Sequence, residues 1–146
     1  MRKFILPLLL LLVSCVDDKI TPEGALKAFV EARIGSVVSK DFVLERVTGR
    51  MKQSLENMPE EDFNKFADQR NINKDSFKVL SKSCQAEQCF VTYTIGFKTK
   101  HEIKPGFNSE VKKIAELNKV DGKWLIADVS NIKTYLEATE AINPLE

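Results

Sequence analysis

The stretch KVDGKWLIADV, residues 119–129, decides the fold. Asp121-Gly122 is a strong two-residue hairpin signal, because both central positions of the favoured turn require positive φ. A turn there sets Val120 opposite Lys123, Leu117 opposite Ile126 and Ala115 opposite Asp128, with Trp124, Ile126 and Leu117 on one face. Strands are therefore expected over residues 110–120 and 123–129. An amphipathic piece, residues 132–140, closes the domain before Pro144.

Upstream the period is also two. Val91, Tyr93, Ile95 and Phe97 alternate with Thr92, Thr94 and Lys98, which predicts a strand over 89–99 paired with one over 76–84. Cys84 and Cys89 bracket the loop between them. If these cysteines lie opposite one another, Leu80 faces Tyr93 and Lys82 faces Val91, a register that a bulge would shift. Residues 100–109, with Pro105-Gly106, read as a loop.

Before residue 72 the period is helical. Thr21-Pro22-Glu23 opens a helix with a capping hydroxyl, a proline in the first turn and an acid at the positive end of the dipole. Leu26, Phe29, Val30 and Ile34 form its apolar stripe. A second helical stretch covers residues 40–57, with an interruption expected at Thr48-Gly49. A third, short helix starts after Met58-Pro59 and carries Phe63 and Phe66, two aromatics best read as core. Helices first and antiparallel strands after them define an α+β domain, with N-terminal helices packed on a curved antiparallel sheet of about four strands.

The chain has 146 residues, 43% of them hydrophobic and 29% charged, with 22 Lys and Arg against 21 Asp and Glu. That is one domain with a real core. Near-neutral charge leaves no basic footprint for nucleic acid, so none is expected as a partner. No phosphate-binding glycine loop, nucleophilic serine motif or HExxH occurs, and no cofactor or enzymatic activity is expected.

Residues 1–15, MRKFILPLLLLLVSC, have the basic start, short apolar run and small residue of an export signal. The run is about half of the ~20 residues a membrane-spanning helix needs. Leu12, Val13, Ser14 and Cys15 resemble the lipobox of bacterial lipoproteins. The resemblance implies a diacylglycerol on the Cys15 thiol, cleavage after Ser14 and acylation of the new terminus. Multiple acyl chains anchor stably. Val16 in place of an aspartate implies, by similarity to enterobacterial sorting, the outer membrane facing the periplasm. The expected organisation is a signal peptide over 1–14, a lipidated tether over 15–20, one domain over 21–140 and a tail over 141–146.

With Cys15 given to a lipid, Cys84 and Cys89 remain, and an exported compartment is oxidising, so the two are expected to form a disulfide. A metal is the rival reading, but two thiols and the single His101 make a poor ligand set, and His101 itself reads as a surface residue.

The opening TPEGALKAFVEA, residues 21–32, the closing hairpin and the order of elements between them resemble the nuclear transport factor 2-like, or cystatin-like, cone over about residues 21–135. That resemblance implies helices closing over a concave sheet. Some proteins of that fold, such as ketosteroid isomerase and scytalone dehydratase, are acid–base enzymes, but no matching motif is present here. The residues themselves offer a pocket lined by Tyr93, Trp124 and Asp128, in which a desolvated Asp128 would be a general base. The simpler reading sets Asp128 at a solvated rim and Tyr93 in the core. Expected function is thus a membrane-anchored envelope module that binds a ligand or envelope protein without catalysis, or that pairs as a homodimer through its sheet face. The alternative is an isomerase- or dehydratase-type enzyme using Asp128. Lys98, Lys100 and Lys104 are a solvated cluster or a contact to anionic head groups.

Overall fold

The computed structural model describes residues 21–99 and 107–138. The leader with Cys15, the tether, Lys100, His101, Lys104 and the tail lie outside the described residues.

Helix α1 (Pro22–Arg33) begins as its residues dictate. The Thr21 hydroxyl accepts from the Gly24 amide at 3.1 Å, and Leu26, Phe29 and Val30 are buried on one stripe. Three short helices follow: α2 (Lys40–Leu44), α3 (Gly49–Glu56) and α4 (Glu60–Ala67). The break inside the second helical stretch has a structural cause. Residues around Val47 run extended and bridge to Ile126 in parallel, with Thr48 N donating to Ile126 O at 2.8 Å and Ile126 N to Arg46 O at 3.0 Å. Gly49 then turns the chain into α3 at φ +54, a backbone conformation that glycine adopts without penalty. These two bonds tie the helical layer to the sheet.

The sheet contains β1 (Ile72–Gln85), β2 (Gln88–Thr99), β3 (Phe107–Val120) and β4 (Lys123–Ala138), antiparallel and paired in the order β1-β2-β3-β4. Cys84 sits opposite Cys89, and Ala86-Glu87 makes a tight turn rather than an open loop. Asp121 and Gly122 have φ +50 and +78, as the hairpin requires. Val120 pairs with Lys123 and Leu117 with Ile126. Val91, Tyr93, Ile95, Ala115, Leu117 and Ile126 then form the inner face, packed against Leu26, Phe29, Val43, Leu55 and Phe63. Each large apolar side chain buried there contributes about 1.5–3 kcal/mol.

Two register details differ from the sequence expectation, each because of a bulge, and the last strand is longer than expected. Val79, not Leu80, faces Tyr93, since the ladder shifts between Val79 and Ser81 and leaves Leu80 exposed. A second shift between Glu116 and Leu117 sets Asp128 opposite Glu116 and gives Ala115 to Val129. Beyond it β4 runs on to Ala138, so residues 132–138 extend the strand and lengthen the hairpin.

The architecture is α+β, with helices preceding a four-stranded antiparallel sheet. The narrower assignment to a nuclear transport factor 2-like cone is corrected. Its two motifs are local devices, a capped helix start and a two-residue turn, and a plain α+β meander uses both. The strands follow sequence order with no crossover.

Candidate functional site

A cleft of about 410 Å³ opens between the end of α1 and the inner face of the sheet. Its walls are mainly apolar, with Phe29, Phe66, Met51, Ile95 and Val129 among them, and it also takes in Arg33, Tyr93 and Lys113. Each of these three arrives for a local reason. Arg33 ends α1 on the stripe of Leu26, Phe29 and Val30, so helical spacing aims it at the sheet. Tyr93 and Lys113 are direct cross-strand partners on β2 and β3, so their side chains project on the same face.

The electrostatics are unusual for a protein interior. Arg33 lies over the Phe66 ring at 4.0 Å and the Phe29 ring at 5.3 Å, and donates to the Phe66 carbonyl at 3.3 Å. Its buried Nε has no hydrogen-bond partner among the described residues. Burial brings the guanidinium down to about 10, against a weaker opposing pull from Tyr93. Burial also pushes the Tyr93 hydroxyl up to about 12, with Arg33 working the other way. Lys113 is lowered by burial first and by the charge of Arg33 second. Two cations thus share an apolar cleft and feel each other.

Among the described residues, carboxylates are paired elsewhere. Glu31 pairs with Lys74, Glu23 with Lys82, Asp75 with Lys98, Asp68 with Arg70 and Asp128 with Arg50. Among the described residues, no carboxylate forms an ion pair with Arg33 or Lys113. A cleft of this kind can hold an anion whose body is apolar.

The residues singled out from the sequence are separated. Tyr93 lines this cleft. Trp124 lines another depression of about 320 Å³ with Ala25, Ala28 and Arg46, beside the first half of α1. Asp128 pairs across the ladder with Glu116 and accepts a hydrogen bond from Arg50 of α3. The expected joint pocket of Tyr93, Trp124 and Asp128 is therefore corrected: the bulge at Glu116/Leu117 moves the aspartate off the register that would have set it opposite inward-facing Ala115. Cys84 and Cys89 stand at disulfide distance across the first hairpin. Among the described residues, no three His, Cys, Asp or Glu side chains gather as a metal site.

Arg33 and Lys113 were missed although the sequence carries their signal. Lys113 alternates with Ala115 and Leu117, a cation at an inward position of a strand. Arg33 continues the i, i+3, i+4 stripe of α1. A basic residue in the last helical turn has an ordinary explanation in the helix dipole, which masks the second one.

No family model matches this sequence, nor does any curated protein. The fold is similar to the solution structure of a SEC-C motif containing protein from Rhodopseudomonas palustris, with a TM-score of 0.57 and 13% identity, covering 79% of this chain and 81% of that one. At that identity the likeness concerns fold alone. It takes the place of the nuclear transport factor 2-like assignment.

Proposed function

We propose that this chain is an exported bacterial lipoprotein that acts as a small, non-catalytic binding module of the cell envelope. The observation that carries the binding role is the cleft in which Arg33, Tyr93 and Lys113 converge over an apolar floor with no acidic counterpart among the described residues. A largely buried cation without a carboxylate partner is a cost to folding. A cation in the wall of a cavity is what a site for an anionic ligand requires. The anchoring rests on residues 1–15, whose basic start, apolar run and Leu12-Val13-Ser14-Cys15 box fit lipid attachment at Cys15. Five residues, 16–20, then lie between the lipidated Cys15 and the Thr21 cap of α1, a tether of about 20 Å that keeps the domain at the membrane surface.

Membrane fractionation with mass spectrometry of the native protein tests the anchoring. The expected product starts at Cys15, carries diacylglycerol and fatty-acyl mass, and moves to the soluble fraction when Cys15→Ser is introduced. A product that still starts at Met1, or one without acyl mass, overturns it.

A further inference from the structure

We propose that the cleft between α1 and the sheet takes an amphipathic anion, with its charged head held by Arg33, Lys113 and the Tyr93 hydroxyl and its hydrocarbon body laid along Phe29, Met51 and Ile95. The inference deepens the binding-module reading and rests on it, because it names the ligand class of the same site.

The head group follows from the polar atoms. One Arg33 amine is given to the Phe66 carbonyl; among the described residues no other acceptor meets the guanidinium, whose Nε is buried. Guanidinium nitrogens are donors only, as is a lysine ammonium, so the complementary ligand atom must be an acceptor. Two neighbouring cations favour an acceptor that carries negative charge, since charge-assisted bonds are about twice as strong as neutral ones. A carboxylate or phosphate monoester head meets this need and an alcohol or amine head does not.

The body follows from the walls. The floor holds three phenylalanines, a methionine and several aliphatic side chains. A fully ionic small molecule such as inorganic phosphate would leave that surface in contact with water. A cavity of about 410 Å³ lies in the usual range for sites that enclose a small organic molecule. Met51, from α3, is the adaptable element of the wall, since an unbranched thioether refits to chains of different length. Ligand-free, the two cations repel each other and pay desolvation. An anion seated between them relieves both penalties, so affinity comes from the head and retention from the tail.

The test uses the protein as the cell makes it, in zwitterionic nanodiscs if lipidated and in buffer if not, with empty discs as reference. Isothermal titration compares octanoate, octyl phosphate, octanol and octylammonium. The expected result is that octanoate or octyl phosphate binds at least about tenfold more tightly than octanol, with octylammonium weakest. The two anions distinguish a carboxylate head from a phosphate one. Arg33→Met and Lys113→Met should each lose about tenfold or more for the anion while octanol is unchanged, and Lys78→Met on the exposed side of β1 should bind as the parent does. Octanol equal to the anions in the parent overturns the anionic class but leaves a binding cleft. No binding by any of the four overturns both the ligand class and the binding role of the site. Circular dichroism of each variant shows that lost affinity is not lost fold.

Discussion

Exchanging Arg33 for methionine separates a ligand-facing cation from a structural one, because the two roles have different stability signatures. Methionine keeps a long unbranched chain over the Phe66 and Phe29 rings, so most of the packing survives. The losses are one long hydrogen bond to the Phe66 carbonyl, worth about 1 kcal/mol at most, and cation–π attraction of about 0.5–1 kcal/mol per ring, partly returned by sulfur–aromatic contact. Against this stands the burial of the charge. A guanidinium brought down to about 10 corresponds to roughly 2–3 kcal/mol held against its charged form, discounted for the solvent that reaches the cleft mouth. Removing the unpartnered Nε belongs to the same gain. Losses and gains are each about 2 kcal/mol, so the variant is expected within about 1 kcal/mol of the parent. Urea denaturation followed by the fluorescence of Trp124, the single tryptophan, measures it. A loss above about 3 kcal/mol would mean that Arg33 is a structural keystone whose partners satisfy it, and the reasoning fails.

Other consequences are as direct. Tyr93 has its hydroxyl pushed up to about 12 in the folded state, so its contribution is complete below about pH 10 and lost as pH rises from 10 towards 12. Arg33 opposes it in the same window, so the readout is the difference between the parent and Tyr93→Phe. That difference should shrink by about 1–2 kcal/mol between pH 9.5 and 11.5, and a pH-independent difference refutes the burial of the hydroxyl. Gly122→Ala meets no atom within 4 Å but must hold φ +78, and should cost about 1–2 kcal/mol through backbone strain alone. Leu26→Ala, at a fully buried position under the sheet, should cost about 2–5 kcal/mol in the same denaturation assay. Replacing Cys84 and Cys89 together by alanine closes no long loop and should cost about 2 kcal/mol at most, with the hairpin register retained by amide exchange.

Local rules carried much of the fold. Thr21-Pro22 and Asp121-Gly122 each specify their structure within four residues, and the alternation of Val91, Tyr93, Ile95 and Phe97 marks the inner face of β2 without reference to anything distant. What stayed hidden depends on contacts far along the chain. The bulge at Leu80 and the shift between Glu116 and Leu117 arise from matching two long strands, and no single strand announces an extra residue. That second shift is why Asp128 could be read from sequence as a partner of Tyr93 and is bonded to Arg50 instead. The break between α2 and α3 was legible at Thr48-Gly49, but that the segment at Val47 runs extended follows only from the presence of Ile126 beside it. The cone assignment of the fold failed for a related reason: both supporting motifs are local, whereas a fold is defined by the arrangement between them. The cleft was half legible. Tyr93 was visible on its strand, but Arg33 and Lys113 become a pair only when the end of α1 is laid across β2 and β3.

The most direct measurement is amide chemical-shift mapping of the isotope-labelled protein during titration with octanoate. Saturable shifts should concentrate at Val30, Arg33, Tyr93, Ile95 and Lys113, with the Arg33 side-chain Nε–H signal moving as the guanidinium gains an acceptor. Shifts gathered instead around Lys78 and Lys112 on the opposite face of the sheet, or an Arg33 Nε–H that does not move, would contradict the assignment of this cleft as the binding site.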